Sequence, residues 1–217
     1  MIWFLQKLAQ TLVNILAPEE RRLDKLLSLE PATLSRLLPR SSIYGQDVTI
    51  LFDYQNKMVR ALVKAMKFKN NPRVRQLLSE MLYEEFVNLA SDTALFEGSY
   101  PILLPMPMSK DEKKGRGWNQ CEELAREIQK MAGNQIKTHF NILQKIRNTE
   151  RQVKLSRTER LKNLKNCMQV FDPQNILKNK VIVVLDDIHT TGSTFAEARR
   201  ALLASGAKRI LGLFLAH

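Results

Sequence analysis

The segment 181–204 constrains the fold more than any other part of the chain. Residues 181–185 form an apolar, mostly β-branched run, which is typical of a strand buried on both faces of a parallel sheet. Two carboxylates follow at once, then a turn of hydroxyl residues around one glycine, then a helical stretch over 195–204. This order predicts an α/β fold with a mainly parallel sheet flanked by helices. The acids are Asp186 and Asp187, and the turn comprises Thr190, Thr191, Gly192, Ser193 and Thr194.

The same segment offers two kinds of ligand group. Ligands of open α/β sheets bind beyond the carboxyl ends of the strands. A helix that starts after Gly192 presents unpaired N–H groups and a positive dipole end, which suit a phosphate, and the glycine allows close backbone approach. Asp186 and Asp187 repel phosphate but accept hydrogen bonds from sugar hydroxyls, or hold a hydrated Mg²⁺ ion. Ribose 5-phosphate matches this arrangement.

Three alternatives compete with that interpretation. The first is a buried strand and a polar turn that bind nothing, although two adjacent acids at a strand end fit poorly without a ligand. A Walker-type nucleotide site lacks support because no G-x-x-x-x-G-K-[ST] run occurs. A phosphoacceptor receiver domain uses acids at strand ends, but it has no need for the hydroxyl-rich turn after them.

Composition narrows the class of protein without choosing a ligand. The chain has 217 residues, 44% of them hydrophobic, and a formal net charge of +12, which fits a polyanionic partner such as a pyrophosphate-bearing sugar or nucleic acid. Cys121 and Cys167 form no C-x-x-C pair, so we expect reduced thiols, no zinc site and a cytoplasmic location. The three histidines show no metal-ligand spacing.

Two domains are expected. Residues 1–45 predict an N-terminal helical extension, which begins with a short amphipathic helix and contains neither a membrane span nor a signal peptide. Residues 46–217 predict the α/β domain. Within it we expect a strand at 48–52, a helix from about Gln55 to Phe68, and a second helix from Pro72 toward Ala90.

The first of these helices carries a stripe of four cations, Lys57, Arg60, Lys64 and Lys67. A solvated face explains such a stripe, and a surface that contacts the phosphates of nucleic acid is the functional alternative.

A second strand is expected over 100–104, ending in a proline-rich turn of Pro105, Met106, Pro107 and Met108. The methionines of this turn can donate backbone N–H groups at the ligand edge, and the prolines cannot. Residues 110–117 predict a mobile basic loop, and Asn119 and Gln120 open a helix to about Met131. Residues 145–165 predict a flexible basic arm that ends in a short helix with a Ser-x-x-Glu capping box at Ser156.

These blocks, taken in order, resemble known families. The segment 181–194 is similar to the phosphoribosyl pyrophosphate (PRPP) signature of type I phosphoribosyltransferases. From about residue 50 to the C-terminus the chain resembles the ComF family, phosphoribosyltransferase-like proteins associated with competence and DNA uptake. Two departures stand out: the first 45 residues lack the cysteines of that family's zinc module, and His189 replaces an aromatic or aliphatic residue. The resemblance rests on Pro105-Met106-Pro107, on Arg116-Gly117-Trp118-Asn119-Gln120, and on Arg147, Thr149, Gln152, Leu155-Ser156, Glu159-Arg160, Asn163 and Phe171.

The resemblance implies a role for each block. Asp186 and Asp187 hold the ribose hydroxyls and are the catalytic candidates, and the turn from Thr190 to Thr194 holds the 5-phosphate. Mg²⁺ is the expected cofactor, arriving with PRPP and without direct protein ligands. The turn that binds the pyrophosphate is expected to be Pro105, Met106, Pro107 and Met108. The candidates for neutralising the charge of the pyrophosphate are Arg116, Arg147, Arg151 and Arg160.

The implied reaction transfers ribose 5-phosphate to an acceptor that the sequence does not identify, and releases pyrophosphate. The alternative is a non-catalytic PRPP- or nucleotide-binding accessory factor in competence, DNA uptake or recombination. Such a factor contacts single-stranded DNA or competence proteins.

Overall fold

The chain forms both helices and strands, and helices lie between the strands Val48–Phe52 and Ile102–Pro105 and between the strands Val181–Ile188 and Arg209–Ala216. The computed structural model describes residues 23, 25–29, 31–41, 45, 47–147 and 166–217. The strands among these residues are β1 (Val48–Phe52), β2 (Ile102–Pro105), β3 (Lys137–Thr138), β4 (Leu143–Lys145), β5 (Met168–Val170), β6 (Val181–Ile188) and β7 (Arg209–Ala216). The helices are α1 (Pro31–Leu37), α2 (Lys57–Lys69), α3 (Pro72–Glu97), α4 (Lys110–Arg116), α5 (Gln120–Ala132) and α6 (Ser193–Ala204), with a 3₁₀ turn at Gly133–Gln135.

The central sheet has five strands in the order β1–β7–β6–β2–β3, and every neighbouring pair is parallel. Parallel neighbours require crossover connections, which the helices between these strands supply. The predicted fold class, a mainly parallel sheet flanked by helices, is confirmed. β6 lies in the middle of the sheet, so its carboxyl end is flanked by the ends of β7 and β2.

Two apolar clusters cover the two faces of the sheet. Val183 and Leu185 of β6 point into a cluster with α2, α3 and α5. Ile182 and Val184 point the other way, into a cluster with α6. Each of these four side chains is fully buried, and burying one such side chain stabilises the fold by about 1.5–3 kcal/mol. The apolar run before the acid pair is therefore a strand buried on both faces, as the sequence predicts.

Gly212 of β7 faces the second cluster where two aromatic rings meet. A Cβ atom at this position would lie 2.5 Å from Cε2 of Phe214 and 3.1 Å from the Phe195 ring. The two rings pack edge to face, with centroids 5.5 Å apart. The absence of a side chain at residue 212 lets α6 and β7 approach closely.

The predicted mobile loop after β2 is a helix, and that prediction is wrong. Ser109 caps α4: its Oγ accepts from the Glu112 amide, and the Glu112 carboxylate accepts from the Ser109 amide. Gly117 ends the helix with φ of 90°, a conformation that suits glycine. Capping at both ends therefore orders this charged segment.

The first residue of the predicted basic arm is part of a strand. Lys145 belongs to β4, which pairs antiparallel with β5. Its side chain is 10% exposed and its Nζ lies 3.0 Å from Oε2 of Glu112, so it is a fixed structural cation. Residues 148–165, which include the predicted short helix, lie outside the described residues.

The segment before β1 packs on the α/β domain where it is described. Leu34 and Leu38 are buried in the cluster that covers one face of the sheet. The Ser41 amide donates to the Leu51 carbonyl at 3.0 Å, so the chain runs beside β1. The predicted amphipathic helix near the N-terminus lies outside the described residues, and the boundary at residue 45 stays a prediction.

Candidate functional site

The site forms where β2 and β6 end at the same edge of the sheet. Pro105 pairs with Leu185, so the turn after β2 lies beside the acid pair. β6 continues to Ile188, which places both acids inside the strand. Because successive side chains of a strand point to opposite faces, the two carboxylates have different neighbours.

Asp187 is buried and lies in a polar network. Its Oδ2 accepts from Nε2 of Gln120 at 2.9 Å and lies 2.8 Å from Nζ of Lys67. Its Oδ1 accepts from the Ile188 amide at 2.8 Å. Three donors from β6 itself, α5 and α2 therefore fix the orientation of this carboxylate.

Lys67 belongs to the last turn of α2 and was expected among the cations of the basic stripe. Its side chain is only 24% exposed and points to Asp187, so the predicted solvated stripe is wrong at this position. Burial acts to lower the pKa of Lys67, but the charge and hydrogen bond of Asp187, helped by Asp186, leave the pKa raised. Its position one helical turn after Lys64 gave no signal of this role.

Asp186 is half-buried and contacts the other side of the strand. Its Oδ1 accepts from the Asp187 amide at 2.9 Å and from Sγ of Cys121 at 3.3 Å. Burial, together with repulsion from Asp187, raises the pKa of Asp186 to about 7. The carboxyl group therefore changes charge near neutral pH.

The start of α5 connects the turn after β2 to both acids. Asn119 caps the helix, since its Oδ1 accepts from the Cys121 amide at 2.9 Å. Its Nδ2 donates to the Met106 carbonyl at 3.0 Å. The next two side chains, Gln120 and Cys121, then reach Asp187 and Asp186. Sequence reasoning found Asn119 and Gln120 as a helix start within a family motif, but missed the contacts of Gln120 and Cys121.

Arg116 is the one arginine of the charge-neutralising set that the described residues place beside this network. Its guanidinium donates to Oε1 of Gln120 and lies 5.8 Å from the centre of the Phe68 ring. Arg147 is exposed after β4. Arg151 and Arg160 lie outside the described residues.

The glycine turn and the start of α6 form the second half of the site. Gly192 has φ of 73° and occupies the N-cap position of α6. Since no side chain among the described residues caps this helix, its first amides have no side-chain acceptor. A Cβ atom at Gly192 would lie 3.1 Å from Nε2 of His189. The hydroxyls of Thr191 and Ser193 are 2.8 Å apart. Thr190 is exposed and Thr194 half-buried, so the turn combines amide and hydroxyl donors at a helix N-terminus.

The turn after β2 offers fewer free amides than expected. The Met106 amide donates to the Leu185 carbonyl at 2.8 Å, which extends the pairing of β2 with β6. Pro105 and Pro107 have no N–H. Of the two methionine amides expected to face a ligand, that of Met106 is therefore already committed, and that of Met108 remains the candidate.

His189 packs at the edge of the sheet. Its ring lies 4.7 Å from that of Phe214 and 5.6 Å from that of His217. Burial, with a smaller effect of His217, lowers the pKa of His189. Its Nδ1 is buried and lacks a hydrogen-bond partner among the described residues. His189 thus acts here as a packing residue that limits the space at Gly192.

The protein itself does not assemble an evident metal centre in the part that the structure describes. No group of three or more His, Cys, Asp or Glu side chains is placed there to hold a metal ion. Cys121 and Cys167 are buried free thiols. Neither does any helix of the described ranges have the length and apolarity needed to cross a bilayer.

A second feature lies at the start of α2. A pocket of about 990 Å³ combines basic and apolar walls. Three of the four cations predicted as a stripe meet there, and Lys25 and the Tyr54 ring join them. The described residues that line it include no acid; they are Lys25, Leu26, Ser28, Leu29, Tyr54, Lys57, Met58, Arg60, Ala61 and Lys64.

The parallel sheet, the acid pair of β6 and the glycine turn before α6 define an α/β protein with a candidate site at the carboxyl edge of its sheet. The resemblance to the ComF family is confirmed by curated relatives. Competence protein ComFC of Bacillus subtilis is 28% identical over 152 residues, 70% of this chain and 56% of that protein. Competence protein F of Haemophilus influenzae is 26% identical over 164 residues, 76% of this chain and 70% of that protein. DNA utilization protein YhgH of Escherichia coli O157:H7 is 28% identical over 197 residues, 87% of this chain and 83% of that protein.

The solved structures to which the chain is similar in part include hypoxanthine phosphoribosyltransferases. That of Staphylococcus aureus is 12% identical with a TM-score of 0.38, covering 63% of this chain and 61% of that chain. The L. donovani hypoxanthine-guanine enzyme is 15% identical with a TM-score of 0.38, covering 64% and 67%. No protein-family model matches the chain. The fold class rests on the strand order and direction of the sheet.

Proposed function

We propose that the chain binds PRPP with Mg²⁺ and transfers ribose 5-phosphate to an acceptor, with release of pyrophosphate. One observation carries this proposal: β6 carries two adjacent acids near its carboxyl end, and the chain then leads through a positive-φ glycine into the uncapped N-terminus of a twelve-residue helix. Carboxylates suit the sugar hydroxyls, and the helix amides suit a phosphate. A phosphorylated pentose needs both groups within a few ångströms of each other.

In this proposal the turn holds the 5-phosphate. The amides at the start of α6 and the hydroxyls of Thr190, Thr191, Ser193 and Thr194 donate to its oxygens. Gly192 lets the backbone approach the phosphate. Asp186 and Asp187 accept from the two ribose hydroxyls, and Asp186 is the more accessible of the two.

The pyrophosphate is assigned to the turn after β2, where the Met108 amide is the available donor. Displacement at the anomeric carbon is easier when the charge on the departing pyrophosphate is neutralised. Arg116 lies beside Gln120 and supplies one such charge, and Arg147, Arg151 and Arg160 are proposed to assist. Mg²⁺, brought by the pyrophosphate oxygens, supplies further Lewis-acid neutralisation.

Asp187 is proposed to hold a ribose hydroxyl, so that the anomeric carbon is positioned for in-line attack. Its carboxylate is held by Lys67 and Gln120, both through Oδ2. A carboxylate in such a pair is better suited to holding a hydroxyl in place than to proton abstraction. The chain's main contribution to rate is then positioning and preorganised charge.

Isothermal titration with PRPP and Mg²⁺ tests the binding step. The wild-type protein should bind, and the double variant Asp186→Asn with Asp187→Asn should not, while its circular dichroism spectrum stays that of a folded protein. Pyrophosphate release with a panel of nucleobases and amines then tests transfer. Unchanged PRPP affinity in the double variant would contradict the site assignment.

The basic pocket favours a second candidate, an accessory factor that binds single-stranded DNA. Four cations and a tyrosine ring line it, which suits phosphates and a stacked base. The names of the relatives refer to competence and DNA utilization. Under this proposal the chain binds PRPP or a nucleotide without turnover and contacts DNA through the start of α2.

Fluorescence anisotropy with labelled single-stranded DNA tests this candidate. Reversing the charges of Lys57, Arg60 and Lys64 should weaken binding and reduce the salt slope by about 2, since each single-strand phosphate contact contributes about 0.7. The matched control reverses three exposed lysines elsewhere, Lys130, Lys178 and Lys180. DNA binding that is equal in both triple variants would refute a role for the pocket. Tight PRPP binding without pyrophosphate release from any acceptor would favour the accessory role over transfer.

A further inference from the structure

Lys67 is the group that neither candidate function explains. It lies on the same helix as the pocket cations, yet its Nζ lies 2.8 Å from Oδ2 of Asp187. The Asp187 side chain is 7% exposed and the Lys67 side chain 24% exposed. A lysine held against a buried acid at the end of the central strand is a feature of the acid site itself.

A bare acid pair is a poor receptor for a polyanion. Asp186 and Asp187 are adjacent in the chain, and PRPP carries a phosphate and a pyrophosphate. Two unit charges 4 Å apart interact by about 4 kcal/mol at an effective dielectric constant of 20. Without a counter-charge, the carboxylates that accept from the sugar hydroxyls would repel the groups attached to the same sugar.

The contacts of Lys67 reduce this repulsion between the acids and the ligand. Its ammonium has three N–H donors and binds Asp187 through the same oxygen that Gln120 contacts. A carboxylate has about four lone-pair sites, and the three donors described above leave one of them for a ligand hydroxyl. Lys67 therefore neutralises Asp187 without filling it.

We propose that Lys67 is a positioning residue that neutralises and orients Asp187, so that the acid pair can accept the hydroxyls of a polyanionic sugar phosphate. This inference rests on the proposed binding of PRPP and adds the residue that makes the site tolerant of that ligand's charge. Because Lys67 acts through Asp187, its effect should grow with the charge of the ligand. It should vanish once Asp187 is neutral.

Titrations with two ligands of different charge test the proposal. Lys67→Met should weaken PRPP binding about 30-fold or more, the lower end for truncating one partner of a buried charge pair. It should weaken ribose 5-phosphate binding less, since that ligand lacks the pyrophosphate. Lys67→Arg keeps the charge and should restore most of the PRPP affinity. The control, Lys130→Met, removes an exposed lysine from α5 and should leave both affinities unchanged.

A double-mutant cycle separates positioning from a general loss of structure. In an Asp187→Asn background, Lys67→Met should cost little further PRPP affinity, because the charge it neutralises is gone. Fully additive losses overturn the proposal, as does equal weakening of both ligands without rescue by arginine. If methionine unfolds the protein, Lys67→Gln carries the same expectations.

The two proposals fail in different ways. Wild-type protein that binds neither PRPP nor ribose 5-phosphate overturns the proposed function and this inference together. Wild-type protein that binds PRPP while Lys67→Met binds it equally well overturns this inference alone.

Discussion

Replacing Asp186 with asparagine should raise the melting temperature of the protein at pH 8, whereas the same replacement at Asp187 should lower it. The two acids are adjacent in β6, but among the residues that the structure describes only Asp187 lies against a lysine. Asp186 instead faces the Cys121 thiol and the Asp187 amide. Asparagine keeps an oxygen that can accept from both of these groups, so the substitution chiefly removes a charge.

The size of the stabilisation expected for Asp186→Asn follows from the pKa of Asp186. Burial and the nearby Asp187 raise it from 3.8 to about 7, and such a difference corresponds to about 4 kcal/mol as an upper limit on the cost of the charge at pH 8. Two effects reduce this value, because the new amide nitrogen needs an acceptor and the attraction to Lys67 is lost. We therefore expect Asp186→Asn to increase the free energy of unfolding by about 1–2 kcal/mol. For a domain of this size that is an increase in melting temperature of about 2–8 °C.

Asp187→Asn has the opposite sign because it leaves the ammonium of Lys67 without its partner. Breaking a buried pair costs about 3–5 kcal/mol. The 24% exposure of Lys67 and the relief of repulsion on Asp186 reduce this, so we expect a loss of about 1–2 kcal/mol. The control Asp92→Asn, on the exposed face of α3, should stay within about 0.5 kcal/mol.

The pH dependence of the Asp186→Asn effect provides the check. In the wild-type protein the raised pKa means that the folded state holds an extra proton between about pH 4 and pH 7, so this group's contribution to stability falls as the pH rises through that window. The advantage of Asp186→Asn should therefore shrink by pH 5, where the wild-type carboxyl is already neutral. Calorimetric melting of the wild-type protein and of both variants at pH 5 and pH 8 measures these differences in stability. Destabilisation by Asp186→Asn at pH 8, or stabilisation by Asp187→Asn, would refute this account of the site.

Three further predictions concern the fold and the ligand. Gly212→Ala should destabilise the protein by about 1–3 kcal/mol in chemical denaturation, because the new methyl group overlaps the Phe214 ring; an unchanged midpoint would contradict this packing. Ser109→Ala should cost about 0.5–2 kcal/mol by removing the cap of α4, and equal proteolysis rates of this segment in both proteins would argue against it. PRPP affinity, measured by titration calorimetry, should rise as the pH increases from 6 to 8, because Asp186 loses its proton in this range; a flat profile would exclude its carboxylate from the diol site.

Local sequence patterns were sufficient to predict the strand before the candidate site and the helix after it. The run at 181–185 predicted a strand buried on both faces because every position is apolar, and five buried residues confirm it. The helix after Gly192 followed from a glycine next to hydroxyl residues. Such inferences succeed because burial on both faces and helix starts depend on residues close together in the chain.

The α4 segment shows where a local pattern was misjudged. The three lysines, one arginine and two glycines of residues 110–117 indicated a mobile loop, and none of the residues of α4 is buried. Hydrophobic periodicity therefore could not reveal the helix. The Ser109-x-x-Glu112 capping box was present in the sequence and determines the outcome, since reciprocal capping satisfies two backbone donors of a helix that has no core contact.

The contacts of Lys67, Gln120 and Cys121 could not be predicted in the same way. Gln120 and Asp187 are 67 residues apart in the chain, and their contact depends on how the strands are ordered in the sheet. Helical spacing puts Lys67 on the same face as Lys64. Which of these two lysines faces the acid depends on how α2 lies over the edge of the sheet.

That placement of α2 makes the two candidate functions separable. The helix begins beside the ends of β1 and β7, where the Tyr54 amide donates to the His217 carbonyl at 2.8 Å, and its last turn reaches Asp187 of β6. Ten residues separate Lys57 from Lys67, about 15 Å along a helix. A screened charge change at the first position should therefore affect the second only weakly, since the Debye length at physiological salt is about 8 Å. Substitutions at Lys57 and Arg60 thus perturb the pocket, and those at Lys67 perturb the acid site, within one helix. Loss of PRPP binding on charge reversal at the pocket would mean that the two regions form a single extended anion site.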